Sequence, residues 1–243
     1  MNLIIDCGNS FVKLAVFEAN RIVDKKIVEA ENFLEKFQNF IETHPDIEKG
    51  ILSSVGNLTE LDVLAIKRAC DVLLLDHDTP VPFFNHYGTP KTLGIDRIAL
   101  VSAAVSQYKN KNVLVIDAGT CITYDFVSEE SKYFGGGISP GLQLRYKSLN
   151  NYTAKLPLLI AEEPLDIIGN STNAAIHSGV VFGILNEING NISIYQEKYR
   201  DLTIILTGGD TNFLSKQLKS GIFANSNFLL EGLNSILQFN SYE

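Results

Sequence analysis

Two acidic residues end apolar strands in the same way, one in each half of the chain. Asp6 follows "LII" and precedes Cys7-Gly8, and Asp117 follows "LVI" and precedes Ala118-Gly119. A carboxylate repels phosphate, but it can hold a hydrated Mg²⁺ that bridges to phosphate oxygens. The glycine that follows lets a ligand approach the main chain, where successive N–H groups bind phosphate. The repeated pattern therefore indicates a nucleotide and metal site formed by two acidic turns.

Either turn on its own has a simpler explanation. An Asp at the end of a strand can cap a tight turn through Asx-type hydrogen bonds and have no ligand. The two copies share one spacing and one strand-turn-strand context. This repetition favours phosphate binding over two unrelated caps.

Two further glycine-rich stretches follow strands in the second half. Thr207-Gly208-Gly209-Asp210 lies between a predicted strand and a predicted helix. The N-terminus of that helix offers a positive dipole, which suits a nucleotide, although an ordinary βα loop has the same composition. "GGGISPG" at 135–141 is interpreted as a loop that is either a ligand wall or a flexible connection.

The elements that must position these turns have the same order in both halves. Hydrophobic periodicity predicts βββαβαβ for the first half. The strands are expected at 2–6, 12–18, 21–28, 50–55 and 71–75, the helices at 30–43 and 59–70, a loop at 79–93 and a further helix at 97–108.

The second half repeats the three strands and then alternates helices with strands. Strands are expected at 112–117, 121–128, 133–138 and 202–206, and helices at 142–149, 171–196, 211–219 and 228–238. We therefore predict an α/β protein with two similar lobes, 1–110 and 111–243, that face a cleft.

Composition excludes several classes of function. A net charge of -8 argues against non-specific binding to nucleic acid, which depends on dense Lys and Arg contacts with phosphate. No apolar stretch approaches the roughly 18 residues of a membrane span, and no basic leader precedes the first strand. Cys7, Cys70 and Cys121 lack C-x-x-C spacing and are expected to be reduced, mostly buried thiols. These features predict a cytoplasmic protein that binds neither nucleic acid nor membrane.

The order of the motifs along the whole chain resembles that of type III pantothenate kinases. The matching stretches are Asp6-Cys7-Gly8-Asn9-Ser10 with Lys13, Gly94-Ile95-Asp96-Arg97, Asp117-Ala118-Gly119-Thr120, 135–141, 169–172 and 207–210. That family belongs to the actin-like, ribonuclease-H-like kinases, and its repeated βββαβαβ lobes agree with the predicted order of elements.

The resemblance implies a reaction and its cofactors. The γ-phosphoryl group of ATP would pass to the primary hydroxyl of pantothenate and give 4′-phosphopantothenate, the first step toward coenzyme A. Mg²⁺ would accompany ATP, and K⁺ or NH₄⁺ would serve as a monovalent cation. The family's homodimers hold pantothenate near the subunit contact.

The resemblance also implies roles for individual residues. It makes Asp96 the catalytic base, Asp117 the ligand of the monovalent cation and Asp6 the Mg²⁺ contact through water. The expected ATP contacts are Asp6, Gly8, Asn9, Ser10, Lys13, Gly119, Thr120, Gly208 and Gly209, and the expected pantothenate contacts are Tyr87, Gly94, Ile95, Asp96, Arg97 and Thr172.

These roles agree with the needs of phosphoryl transfer, which are positioning, charge neutralisation and an acceptor for the alcohol proton. Asp96 can accept that proton, and the planar fork of Arg97 suits either a carboxylate or the transferring phosphoryl group. An acidic residue in a first helical turn with a solvated neighbour is the structural alternative. A regulatory protein of the same fold without activity, or a kinase for another small alcohol or acid, is the functional alternative.

Overall fold

The computed structural model describes residues 1–8, 11–53, 58–218 and 221–241, and the chain divides into two compact units. Unit 1 comprises Met1–Lys109 together with the chain from Asn227 onward, and unit 2 comprises Asn110–Ser226. Each unit has its own mixed sheet and its own hydrophobic core.

Unit 1 has the predicted order of elements. Its strands are β1 (Asn2–Cys7), β2 (Phe11–Glu18), β3 (Arg21–Glu29), β4 (Lys49–Leu52), β5 (Asp71–Leu74) and the short β6 (Phe84–Asn85), and its helices are α1 (Phe33–Glu42), α2 (Glu60–Ala69) and α3 (Ile95–Gln107). The sheet order is β3-β2-β1-β4-β5, with β1 antiparallel to β2 and parallel to β4.

The sequence explains why β1 is central and why the helices cover it. Leu3, Ile4 and Ile5 are all fully buried, as expected for a strand that is covered on both faces. Helix α1 buries one apolar face that includes Phe33, Phe37 and Phe40. Helix α2 begins with a capping box, in which Thr59 and Asp62 each accept a hydrogen bond from the other's backbone N–H.

Unit 2 repeats this arrangement. It contains β7 (Val113–Ala118), β8 (Cys121–Val127), β9 (Lys132–Pro140), α4 (Leu142–Asn151), α5 (Thr172–Lys198), β10 (Thr203–Thr207), α6 (Thr211–Leu214) and β11 (Ile222–Ala224), and its strands lie in the order β11-β10-β7-β8-β9. The long helix α5 packs its buried side chains on strands β7, β8 and β10. Strand β11 was not predicted from the sequence.

The prediction of a loop at 135–141 is wrong. Residues 135–140 belong to β9 and pair in antiparallel register with β8. A Cβ atom at Gly136 would lie 1.7 Å from the Tyr124 carbonyl oxygen, so glycine is required for the two strands to approach. The glycine run therefore serves strand packing, and only Gly141 lies beyond the strand.

The last helix, α7 (Phe228–Phe239), lies with unit 1, although the sequence-based division assigns it to the second half. It packs on α3 and β1, and a Cβ atom at Gly232 would lie 1.9 Å from the Ala99 carbonyl oxygen. The Asn2 side-chain amide donates a 2.9 Å hydrogen bond to Asn234. An apolar helix face does not reveal by its spacing which sheet it will cover.

Several predicted element ends also differ from the structure. Helix α3 begins at Ile95 and not at Arg97, so that Asp96 lies in its first turn. Helix α6 ends at Leu214, which is shorter than the predicted 211–219, whose last residue lies outside the described part. Strand β4 ends at Leu52, whereas the predicted strand continued to residue 55. Residues 54–55 lie outside the described part of the chain. None of the helices in the described ranges is both long and apolar enough to cross a bilayer.

Candidate functional site

The first acidic turn lies at the end of β1. Asp6 pairs in register with Lys13 of β2, and the Lys13 ammonium lies 3.2 Å from Asp6 Oδ2. Ser53, which directly follows β4, donates a 3.0 Å hydrogen bond to Asp6 Oδ1. The Gly8 N–H donates to the Phe11 carbonyl oxygen and closes the turn. Asp6, Gly8 and Lys13 are thus brought together, whereas Asn9 and Ser10 lie outside the described residues.

Cys7, the cysteine beside Asp6, is not ionised at physiological pH. Burial, with a further contribution from the negative charge of Asp6, raises the pKa of Cys7 to about 12. Burial likewise raises the pKa of Cys70 to about 11. Both side chains are therefore neutral thiols at physiological pH. Cys7 and Cys70 are only partly buried and Cys121 is exposed, so the expectation that these thiols are mostly buried is wrong for Cys121 and met only in part by the other two.

The Gly-Ile-Asp-Arg stretch forms the N-terminus of α3. Gly94 is the N-cap residue, and the Asp96 carboxylate accepts a 2.8 Å hydrogen bond from the Arg97 N–H while remaining exposed. The Arg97 side chain is 5% exposed, and its guanidinium carbon lies 5.5 Å from the centre of the Tyr87 ring. This distance is that of a cation–π contact. Tyr87, Asp96 and Arg97 therefore form one cluster in unit 1.

Glycine at position 94 leaves room for the Asp96 carboxylate. A Cβ atom at Gly94 would lie 2.3 Å from Asp96 Oδ1, far inside van der Waals contact. The carboxylate thus folds back over the main chain of its own N-cap. Any side chain at position 94 would push it out of this orientation.

The second acidic turn meets the Thr-Gly-Gly-Asp turn within unit 2. Strands β7 and β10 are parallel, with Asp117 opposite Thr207, so both turns leave the sheet at the same edge. Gly208 has a φ angle of 97°, and its Cβ atom would lie 2.3 Å from both Asp117 Oδ1 and the Ala118 carbonyl oxygen. The Asp210 N–H donates to that same carbonyl at 2.9 Å. The structure therefore brings together two motifs that the sequence presented separately.

Other residues of the second acidic turn and of the Thr-Gly-Gly-Asp turn lie in the same part of unit 2. The Gly119 N–H donates to the Cys121 carbonyl oxygen, and the Gly141 N–H donates to the Thr120 carbonyl oxygen at 3.0 Å. Gly209 has open space where its Cβ atom would lie, and Thr120 is exposed. Asp210 was not selected from the sequence as a site residue; its carboxyl group is partly buried, and burial raises its pKa.

Thr172 is the first residue of α5. Ser171 caps the helix by accepting a 3.2 Å hydrogen bond from the Ala174 N–H, and Thr172 is exposed. Thr172 lines a cavity of about 650 Å³ between α4 and α5. The other lining residues are mostly apolar: Arg145, Ser148, Leu149, Leu156, Ala175, Ile176, Gly179 and Val180.

A polar network holds Arg145 at this cavity. No motif in the sequence indicated this network. The Arg145 guanidinium forms an ion pair with Glu187 at 2.5 Å and donates to the Pro140 carbonyl oxygen at 2.9 Å. Tyr124 and Ser139 also donate to Glu187. Burial acts to raise the pKa of Glu187, but the hydrogen bonds from Ser139, Arg145 and Tyr124 outweigh it and lower the pKa below its ordinary value.

The described residues contain no group of three or more His, Cys, Asp or Glu side chains arranged to hold a metal ion. Each acidic turn instead offers a single carboxylate. This donor set fits Mg²⁺, which takes one or two carboxylates and completes its shell with water and substrate phosphates. It does not fit an all-protein cage.

The repeated order of elements and the repeated acidic turns define an α/β protein of two similar units with the actin-like fold. A solved structure described as a Baf family transcriptional activator from Campylobacter jejuni has the same fold, with a TM-score of 0.63 and 23% identity over 99% of this chain and 100% of that one. A glucokinase from an Antarctic psychrotroph shares the fold at a TM-score of 0.53, with 13% identity over 98% of each chain. The fold class predicted from the sequence is therefore confirmed.

The chain belongs to the type III pantothenate kinase family. The model of that family matches residues 2–193. A type III pantothenate kinase of Christiangramia forsetii is 53% identical over 240 residues, which cover 99% of both chains. A type III pantothenate kinase of Bacteroides fragilis is 43% identical over 242 residues, again 99% of both. The resemblance stated from the motifs is confirmed.

Gly208 and Gly209 offer a matched pair of substitutions for testing the meeting of the two turns. Gly208→Ala combines a positive φ angle with a clash against Asp117 and Ala118, and we expect it to cost about 1–3 kcal/mol of stability. Gly209→Ala meets open space and should lower stability by less than about 0.5 kcal/mol. Thermal unfolding followed by circular dichroism measures both. Equal effects would contradict the described contact.

Proposed function

We propose that this protein transfers the γ-phosphoryl group of ATP to the primary hydroxyl of pantothenate. The product is 4′-phosphopantothenate, and the reaction is the first step toward coenzyme A. Membership of the type III pantothenate kinase family over nearly the whole chain is the observation that carries this proposal. The local geometry of Asp96 and of the acidic turns is compatible with it.

Asp96 is the proposed general base. Its carboxylate is exposed to solvent, while the hydrogen bond from the Arg97 N–H and the absence of a side chain at Gly94 restrict its orientation. A carboxylate that is held in one orientation can accept the hydroxyl proton as the oxygen attacks phosphorus. Catalysis then depends mostly on positioning and charge, as is usual in phosphoryl transfer.

Arg97 and Tyr87 are proposed to contact the substrate together with Gly94 and Ile95. The guanidinium is buried beneath the Tyr87 ring, which limits its motion without neutralising its charge. A planar guanidinium can donate two parallel hydrogen bonds to carboxylate or phosphoryl oxygens. Both kinds of oxygen are present in the proposed reaction.

The nucleotide is proposed to use both acidic turns. Asp6 would contact Mg²⁺ through water, and Gly8, Asn9, Ser10 and Lys13 would bind the phosphates. In unit 2, Gly119, Thr120, Gly208 and Gly209 would contact ATP, and Asp117 would hold K⁺ or NH₄⁺. The open space at Gly209 and the exposed Thr120 are compatible with ligand contact.

Thr172 is proposed to contact pantothenate from its cavity in unit 2. The cavity has mostly apolar walls and a hydroxyl at its edge. Apolar walls suit the branched alkyl part of pantothenate, and the hydroxyl suits its amide or carboxylate.

We expect Asp96→Asn to abolish turnover while leaving thermal stability unchanged, because the amide keeps the shape but cannot take the proton. The control is Asp78→Asn, which removes an exposed carboxylate elsewhere in unit 1. A coupled kinase assay that offers pantothenate, a panel of sugars and short acids, and several nucleotides measures both variants and the substrate choice. Near-normal turnover by Asp96→Asn would remove it as the base.

The proposed role of Asp117 makes activity depend on the monovalent ion. Turnover of the native protein should be faster in K⁺ or NH₄⁺ than in Na⁺ at equal ionic strength and equal Mg²⁺. Asp117→Asn should remove that difference, because the amide carries no charge to hold the cation. Steady-state rates in the three chloride salts decide the matter, and equal rates for the native protein would argue against a cation at Asp117.

We further propose that the protein is a cytoplasmic homodimer. The segment between α4 and α5 exposes several large apolar side chains, among them Leu165 and Ile168, of which Ile168 is 79% exposed. Such an exposed group is typical of a surface that a partner covers.

Light scattering at micromolar concentration should therefore give twice the chain mass of 26.8 kDa. The double substitution Leu165→Glu and Ile168→Glu should give a monomer, because a buried interface would have to accommodate two unpaired charges. Leu61→Glu, at an exposed apolar position of α2, should remain dimeric. A native monomer would contradict the homodimer, and a dimeric double variant would place its interface elsewhere.

A further inference from the structure

Ser53 lies outside every motif that relates this chain to its family, yet it contacts the first acidic turn. We propose that Ser53 is a positioning residue that orients the Asp6 carboxylate toward hydrated Mg²⁺. The inference rests on the proposed function, because it takes the Mg²⁺-bound nucleotide to bind at Asp6. Ser53 itself is not proposed to touch the metal or the substrates.

The sheet holds Ser53 in place. Strand β4 is parallel to β1, with Leu52 opposite Ile5, so that Ser53 is carried alongside Asp6. The Ser53 N–H donates a 3.0 Å hydrogen bond to the Ile5 carbonyl oxygen, and its hydroxyl donates to Asp6 Oδ1 at 3.0 Å. Ser53 is 6% exposed. Both residues are therefore positioned by the paired strands β1 and β4.

The two carboxylate oxygens of Asp6 have partners of different kinds. Oδ1 accepts from the buried hydroxyl of Ser53, whereas Oδ2 faces the ammonium of Lys13, whose side chain is 42% exposed. A lysine side chain is long and flexible, and its charge is readily transferred from one anion to another. Oδ2 is thus the oxygen that can exchange its partner. Ser53 keeps the carboxylate from rotating when it does so.

This arrangement would allow an exchange of partners as the nucleotide binds. Lys13 would leave Oδ2 for a phosphate oxygen, and Oδ2 would then be available to hold hydrated Mg²⁺. No covalent bond is formed or broken in this exchange. The hydrogen bond from Ser53 to Oδ1 is present before and after it.

The second unit has a hydroxyl at the corresponding position. Thr207 at the end of β10 lies opposite Asp117 of β7 in parallel register, and it is 2% exposed. Strands β4 and β10 occupy the same place beside the first strand of their sheets. A buried hydroxyl residue therefore accompanies the acidic residue in both copies of the turn, which would be unexpected if Ser53 merely filled space.

The experiment measures Mg²⁺ dependence separately from turnover. Mg²⁺ is titrated against the protein and a fixed concentration of ADP in a calorimeter, and kcat and KM for pantothenate are measured in parallel. For Ser53→Ala we expect the half-saturating Mg²⁺ concentration to rise about tenfold, as when a hydrogen bond to a charged group is lost. We expect kcat to fall while KM for pantothenate stays within about twofold of the native value.

Two further variants separate positioning from stability. Ser53→Thr keeps a hydroxyl, and its half-saturating Mg²⁺ concentration should therefore stay close to the native value. Ser102→Ala removes another buried hydroxyl of unit 1, one that donates to the Ile98 carbonyl oxygen, and should leave the Mg²⁺ titration unchanged.

Each outcome either supports or overturns the inference. The inference is overturned if Ser53→Ala has the native half-saturating Mg²⁺ concentration, or if Ser102→Ala raises that concentration as much as Ser53→Ala does. Neither result would contradict the proposed kinase reaction. A shifted titration in a protein that does not phosphorylate pantothenate supports Ser53 and overturns the proposed substrate. If the native protein binds no ADP with Mg²⁺, both proposals are wrong.

Discussion

The carboxylates of Asp96 and Asp117 each occupy space that a side chain on a nearby glycine would need. A Cβ atom at Gly94 would lie 2.3 Å from the first carboxylate, and one at Gly208 would lie 2.3 Å from the second. The main chain can approach so closely only where no Cβ atom exists. Much of the site follows from this constraint, since it determines which way two of the acidic groups can point.

Each acidic turn presents one carboxylate, Asp6 in unit 1 and Asp117 in unit 2, and this limits the negative charge near a bound phosphate. A net charge of -8 would repel a polyphosphate, and the turns contain no cage of several acids in the described ranges. Attraction must come from local groups such as Lys13, main-chain N–H groups and bound cations. The single carboxylate of Asp6, with separate partners on its two oxygens, is suited to an ion that keeps much of its water.

The predictable part of the structure was the order of its elements. The apolar runs and helical faces of both units appear as expected, because burial of such patterns is decided by local spacing. The acidic turns were also recognisable, since Asp6 and Asp117 share one short pattern. By contrast, the glycine run at 135–141 has the composition of a loop, and only the neighbouring carbonyl of Tyr124 explains why it forms a strand.

The sequence by itself determined the class of fold, the repeated acidic turns and the family, because these are recognised from short stretches of neighbouring residues and from the order of those stretches along the chain. Only the tertiary structure decided which distant residues meet: Ser53 with Asp6, Gly208 with Asp117, and α7 with α3. Parallel pairing places residues from separate strands at one sheet edge, and no local pattern encodes which partner arrives there. The orientations of the Asp6 and Asp117 carboxylates therefore depend on packing, whereas that of Asp96 is set by its sequence neighbours Gly94 and Arg97.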